Sequence, residues 1–279
     1  MHWHTEAEDA LKKVPFFVRK RVRARVEKEA RQEGKPVVTL AEVKATQKRY
    51  LTKMGEEIRG YQLEACFGPS GCPKRAVVSE GLYEDVEALL KEADLLGFLK
   101  QQVKGNLKFH HEFRVTLADC PNACSQPQIK DIGIIGAQRP AITAEPCSGC
   151  KACVTICPDR AVTLSAGDDP SPRIDGKLCQ NCGLCIAQCP TETLAVGRQG
   201  YRIQLGGKLG RHPRLARELP GIYSHAQVLE VVGQCLAFYK ARSRNGKRFG
   251  QLLTDAVFAE LLPQLVLPDS GDRGSDLSS

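Results

Sequence analysis

The sequence predicts an α+β protein assembled from three parts, and three observations carry that prediction. Val14, Val18, Val22 and Val26 recur every four residues among Arg and Lys, the stripe of an amphipathic helix. Phe113 to Leu117 alternates apolar and polar residues as a strand does, and Ile132 to Gly136 reads as a short buried strand. After these comes a block written twice, CSGCKACVTICPDRAV and CQNCGLCIAQCPTETL, at an offset of 32 residues.

At 279 residues the chain can form one large domain or two to three small ones. No apolar run approaches the ~18 residues of a membrane span. The opening MHWHTEAEDALKK lacks the basic-then-apolar pattern of a secretory leader. Thirteen cysteines without a leader point to a reducing compartment, where thiols bind metal, so a cytoplasmic, anaerobic setting is expected. Residues 1–60 hold 15 Lys/Arg against 9 Asp/Glu, most of the net charge of +8. That excess reads as a solvated helix face or a docking surface for an acidic partner. Nucleic acid is the other reading, but no aromatic interleaving or recognised motif supports it, and none is expected as a partner.

Residues 11–33 read as a helix stopped by Gly34. Thr39 to Glu42, T-L-A-E, is a capping box that opens a second helix through about Met54. Together they make an N-terminal helical module, 1–58. Gly68, Pro69, Gly71 and Pro73 form a loop around Cys66 and Cys72. A helix follows from Leu82 to about Val103, interrupted near Gly97. Residues 59–139 and 197–265 are expected to belong together, split by the repeat at 140–196. The later part resumes with a strand, Tyr201–Leu205, and a glycine-rich basic loop, GGKLGRHP. Helices are expected over 225–242 and 247–262, then a disordered tail, 266–279.

Twelve cysteines fall into three sets of four. Two sets are copies of C-x2-C-x2-C-x3-C-P: Cys147, Cys150, Cys153, Cys157 and Cys179, Cys182, Cys185, Cys189. This is the spacing of a bacterial-type ferredoxin with two 4Fe–4S clusters, in which the fourth cysteine ligates the other cluster. One cluster is therefore assigned to Cys147, Cys150, Cys153 and Cys189, the other to Cys179, Cys182, Cys185 and Cys157. Zinc also takes four cysteines but rarely with this duplicated spacing. The remaining set is Cys66-x5-Cys72 with Cys120-x3-Cys124; the latter two would share a face if a helical turn begins there. Cys235, in VLEVVGQCLAFY, reads as a buried small hydrophobe.

C-x5-C followed by CPN-x-C and a G-I-I-G strand resembles the siroheme-dependent sulfite and nitrite reductases. YRIQLGGKLGRHPRLARELPGI and KRFGQLL also look like segments of that family. In size and order the chain resembles the C subunit of anaerobic sulfite reductase. The resemblance implies a third 4Fe–4S cluster on Cys66, Cys72, Cys120 and Cys124, with Cys124 bridging to siroheme iron. The chain would then be a reductase half-domain with an inserted ferredoxin domain. Residues 1–55, with LKKVPFFVRKRVRARVEKEARQEG, resemble the small C-terminal module of light-independent protochlorophyllide reductase.

Siroheme carboxylates and an oxyanion substrate need cations. Cofactor-binding candidates are Lys74, Arg75, Lys108, Asn122, Gly206, Gly207, Lys208, Arg211 and His212, besides Cys124. Catalytic candidates are Arg114, Lys208, Arg211 and His110; of the adjacent His110 and His111, only one could face the site from a strand. The implied activity is six-electron reduction of sulfite to sulfide, or nitrite to ammonia, with electrons passing from an external donor through the ferredoxin clusters. No G-x-G-x-x-G precedes a helix, so no dinucleotide site is expected. Glu112 falls where the family often carries a second lysine. That departure, and the missing second half of the family fold, favour the alternative: a non-catalytic iron–sulfur electron-transfer subunit without siroheme.

Overall fold

The computed structural model describes residues 1–167 and 169–266, and for 51–56 the backbone only. The tail expected to be disordered lies, from residue 267 onward, outside the described residues. The chain divides into two compact units, 1–58 with 103–110, and 59–102 with the remainder from 111.

The first unit is helical. Strand β1 (His2–Trp3) pairs in parallel with β2 (Val37–Val38), and helices α1 (Thr5–Lys12), α2 (Phe16–Gln32) and α3 (Leu40–Glu56) complete it. The single helix expected over 11–33 is broken by Pro15. Proline has no N–H to continue α1, and it stands with φ −52° as the residue before α2. Trp3, Ala7, Leu11, Val26, Ala30, Val38 and Val43 form the core, and Val14 and Val22 pack against it. The cap expected at Thr39 forms in a variant of the box: Glu42 Oε2 accepts from the Thr39 N–H at 2.8 Å, while Thr39 Oγ1 accepts from the N–H of Ala41, at 3.2 Å, in place of that of Glu42.

The second unit is built on a five-stranded sheet. Its strands are β3 (Tyr61–Ala65), β4 (Phe113–Ala118), β5 (Ile132–Ile142), β8 (Leu194–Leu205) and β9 (Arg217–Glu218), in that spatial order. β3, β4 and β5 run parallel; β8 is antiparallel to β5, and β9 to β8. Alternation gives the sheet two unlike faces. Phe113, Val115, Leu117, Ile132, Ile134, Tyr201, Ile203 and Leu205 form one apolar face. It is packed by residues of α4 (Leu82–Glu92), α5 (Leu95–Gln102), α8 (His225–Arg242), α9 (Phe249–Leu252) and α10 (Asp255–Leu261). Phe113 meets Tyr239 and Phe249 at ring-centroid distances of 5.1 and 5.4 Å, within the range of favourable aromatic pairs. The opposite face alternates to polar residues, among them Gln62, Glu64, Arg114, Thr116, Arg202 and Gln204.

The expected helix over 82–103 is broken at Asp94, at φ 41°, not at Gly97. Gly97 lies inside α5, where its N–H donates to Asp94 Oδ1. The expected helix over 247–262 is likewise two, because Thr254 caps α10 by accepting from the Val257 N–H at 3.3 Å. The strands around the repeat are longer than expected. β5 and β8 form one ribbon that pairs out to Ile142 and Leu194, with a register shift at Arg139/Pro140. The repeat sits at its end and contains α6 (Ala152–Ile156), α7 (Leu184–Ala187) and the antiparallel strands β6 (Val162–Leu164) and β7 (Pro172–Ile174). The stretch between the two copies, where the sequence reads GDDPSPRIDGK and suggests a loop, therefore supplies strand β7.

Candidate functional site

Parallel strands β3 and β4 end side by side, and each delivers cysteines at that end. The Cys66 N–H donates to Leu117 O at 2.9 Å, which fixes the first loop against β4. Cys66 Sγ accepts from the N–H groups of Gly68 at 3.2 Å and Asp119 at 3.3 Å. Gly68 is required there, because a Cβ on it would run into the Asp119 side chain. Cys120 and Cys124 do not share the helical turn expected of them; they stand on two consecutive tight turns. The Ala123 N–H donates to Cys120 O and the Gln126 N–H to Ala123 O. Ala123 and Gln126 are left-handed at φ 54° and 59°, which folds the chain too tightly for a helix. Ser125 Oγ ties the second turn to Leu117 O at 2.7 Å.

The four thiols gather at this end of the sheet. Burial pushes the Cys120 thiol up, and the charges of Cys66, Cys124 and Cys72 add to it. Cys124 is exposed, and Asn122 Nδ2 donates to its Sγ at 3.0 Å. N–H donors aimed at sulfur favour thiolate, the form that binds metal.

The repeat carries its symmetry into the backbone. Gly149 and Asn181 stand at φ 67° and 57°, and Lys151 and Gly183 at 60° and 74°. Arg160 and Glu192 do the same at 54° and 56°. These positive angles curl each C-x2-C loop tightly, and the third cysteine of each copy, Cys153 and Cys185, is buried. Cys147, Cys157 and Cys189 accept from the N–H groups of Gly149, Ala161 and Leu194 at 3.3–3.4 Å. One cavity is lined by Cys157 together with Cys179, Cys182 and Cys185, bringing the fourth cysteine of the first copy to the first three of the second. Burial pushes Cys185 up to about 12, with the nearby Cys179 and Cys182 adding to it. Metal binding would have to displace that proton. Among the described residues, no three His, Cys, Asp or Glu stand close enough to hold a single metal ion.

The basic candidates divide. Arg114 lies on the polar face of β4, its N–H donating to Asp131 Oδ2 at 3.0 Å. Gly206 and Gly207 are buried against the turn that follows Cys124: the Gly206 N–H donates to Asp131 O at 2.8 Å, and a Cβ on Gly207 would strike Gln128 O. Lys208 and Arg214 close the glycine loop by two backbone hydrogen bonds of 2.9 Å, which leaves Arg211 and His212 exposed at its tip. Lys74 and Arg75 are exposed just after Cys72. Lys108 and His110 fall in the first unit, on or before a 3-10 turn at Phe109–His111, so the expected strand there is not formed. Glu112 is buried at 2% exposure and accepts from the Arg59 N–H and Gln62 Nε2 at 2.9 and 2.7 Å.

Several residues of this region were not expected. Lys130 and Arg202 join Arg114 around the polar face, and Arg214 lies between the glycine loop and α9. Lys130 pairs with Glu64 at 2.6 Å, and Arg202 with Glu218 through two bonds of 2.6 and 2.8 Å. Arg214 Nη2 donates to Gly206 O and Gly250 O, while burial lowers the pKa of its guanidinium. Arg214 Nε, Arg248 Nε and Gln204 Oε1 are buried without a hydrogen-bond partner, so this region holds unused polar capacity.

A family model described as the nitrite and sulphite reductase 4Fe-4S domain matches residues 66–269. The chain belongs to this family. A second model, described as the proto-chlorophyllide reductase 57 kD subunit, matches residues 3–46. The coenzyme F420-dependent sulfite reductase of Methanocaldococcus jannaschii is 34% identical over 143 residues, 50% of this chain and 21% of that protein. The C subunit of the anaerobic sulfite reductase of Salmonella typhimurium is 30% identical over 105 residues, 38% of this chain and 26% of that protein. The chain thus spans about a quarter of the length of these relatives. The B subunit of the light-independent protochlorophyllide reductase of Chloroflexus aurantiacus is 65% identical over 37 residues, 13% of this chain and 7% of that protein. The fold is shared with the crystal structure of dissimilatory sulfite reductase I at TM-score 0.50 and 18% identity, covering 82% of this chain and 59% of that one.

Proposed function

We propose that this chain is the siroheme-bearing part of a sulfite reductase, reducing sulfite to sulfide and, by the equivalent reaction, nitrite to ammonia. In this reading residues 59–139 and 197–265 are the reductase half-domain, 140–196 a ferredoxin domain with two 4Fe–4S clusters, and 1–58 an accessory module. The observation that supports it most is the placement of Cys124. It is the exposed member of a four-cysteine set, and it lies one turn from the glycine loop that carries Lys208 and Arg211.

The residues fit the groups required. Cys66, Cys72, Cys120 and Cys124 would hold one 4Fe–4S cluster, and the eight cysteines of the repeat two more. Arg114, Lys208 and Arg211 supply positive charge for carboxylates and for the oxyanion. Siroheme, when bound, supplies the iron at which sulfur is reduced; the overall change, SO3(2−) + 6 e− + 6 H+ → S(2−) + 3 H2O, takes electrons from an external donor. The chain's share is positioning and electrostatics. Arginine presents a planar fork of donors that matches an oxyanion, and its fixed charge stabilises oxygen leaving as water. Lys208 is a mobile ammonium that can pass a proton toward such an oxygen.

The absorption spectrum of anaerobically purified protein tests this. Siroheme gives bands in the red that clusters alone do not; protein with three cubes of iron and sulfide but no tetrapyrrole sinks the proposal. One observation favours the second reading, an electron-transfer subunit without siroheme. Glu112 puts a buried carboxylate on the polar side of β4, occupied by Arg59 and Gln62.

A further inference from the structure

We infer that the two centres of the repeat are ordered: the Cys157/Cys179/Cys182/Cys185 centre is the inner one, latched to the sheet by Arg202 and Gln138. The Cys147/Cys150/Cys153/Cys189 centre is then the port where an external one-electron donor docks. The inference rests on the proposed iron–sulfur occupancy of both centres.

Strand β5 carries the argument. At Gly136 it touches the first cysteine set, because a Cβ there would lie 2.5 Å from Asp119 O, one residue before Cys120. Two residues on, the Gln138 N–H donates to Asn181 O at 2.6 Å, inside the Cys179–Cys182 loop. The step from one contact to the other is roughly 7 Å along the strand. Gly183, next to Cys182, stands at φ 74°, and the Gln138 side chain packs directly against the position a Cβ would take. Pro140 of the same strand lines the cavity that holds Cys157, Cys179, Cys182 and Cys185.

Strand β8 adds the second hold. Arg202 Nη1 donates to Gln180 O at 3.0 Å, between Cys179 and Cys182, while its other nitrogens pair with Glu218. The Arg202 side chain is 13% exposed, so its charge acts in a partly desolvated place. The other copy differs. The partners of its loop belong to the repeat itself: a Cβ on Gly149 would lie 3.2 Å from Pro170, and Thr193 Oγ1 donates to Pro146 O at 3.2 Å. Cys150 is exposed where its counterpart Cys182 is half-buried.

The test uses the full-length chain with its clusters, reduced stepwise and followed by electron paramagnetic resonance. A water-soluble dysprosium chelate should broaden one ferredoxin-type signal and spare the other. Arg202→Ala removes a cation and leaves Glu218 unpaired beside the inner ligand loop. The spared signal should therefore move to lower potential while the broadened one stays in place. Arg202→Lys, which keeps the charge, should leave most of the parent potential in place. Equal broadening of both signals, an unmoved spared signal, or a shift confined to the broadened signal overturns the ordering. Absence of any ferredoxin-type signal from intact protein overturns instead the cluster assignment on which the ordering stands.

Discussion

Asp131 and Arg248 form an ion pair at 3.3 Å in which the carboxylate is fully buried. Asp131 also accepts from the N–H groups of Arg114 and Gly250, each at 3.0 Å, and its backbone oxygen accepts from Gly206. One residue thus joins three elements: its side chain holds β4 and the start of α9, and its backbone oxygen holds the glycine loop. Breaking a buried ion pair on one side strands the other charge, at a cost of about 3–5 kcal/mol. Asp131→Ala is expected to lower stability by that amount in urea unfolding. A loss below about 1 kcal/mol would show that the network is not a structural joint.

Gly207 and Gly233 should respond in opposite directions to the same substitution. Gly207→Ala drives a methyl group into backbone oxygens of Gln128 and Lys130, and overpacking costs about 1–3 kcal/mol. Gly233 lies in α8 with open space around its Cβ position, so Gly233→Ala should stabilise by about 0.5–1 kcal/mol. Thermal unfolding of the two variants checks this; equal effects would refute the close approach of the glycine loop to the Cys124 turn.

How much of the molecule is legible in its sequence depends on how local each feature is. The cysteine spacing is local chemistry, and the offset of the repeat reappears as matched left-handed residues at Lys151 and Gly183. The cap at Thr39 and Glu42 is also local, and it forms. Pro15 is equally local, but the valine stripe continues across it and hides the break. β3 gives little signal because Gln62 and Glu64 occupy one of its faces, leaving only Tyr61 and Leu63 as an apolar pattern. The Asp131 joint and the Arg202 latch span |i−j| of 117 and 22 residues, and no periodicity announces such pairs.

Acid should loosen the first unit through Glu42. Lys35 and Thr39 hold the Glu42 carboxyl down at about 2, against an ordinary value of about 4.3. A depressed carboxyl contributes stability that is present above its unfolded value and lost as pH falls through the folded one. The contribution should therefore fade between about pH 4.3 and 2. Glu42→Gln should be less stable than the parent at neutral pH, and the difference should vanish near pH 2. A pH-independent difference, followed by circular dichroism, would contradict the assignment.

Iron analysis separates structural from ligating thiols. Cys120→Ser should lose about one cube's iron, because the remaining thiols of that set cannot close a four-ligand site. Cys235→Ala should keep all of it, since Cys235 is fully buried in α8 among apolar neighbours. Cys124→Ser should abolish sulfite turnover while the resonance signals of the repeat persist. Retained turnover would remove Cys124 from the proposed bridge.

The paired ribbon of β5 and β8 has a consequence for how such a chain can arise. Ile142 and Leu194 stand opposite each other at its tip, so the interruption enters and leaves the sheet at neighbouring points. A tight hairpin across those two positions would keep every ladder bond below them. The repeat, the electron supply of the proposed function, is therefore a graft on a stem: it can be acquired, exchanged or shed without redrawing the sheet that carries it.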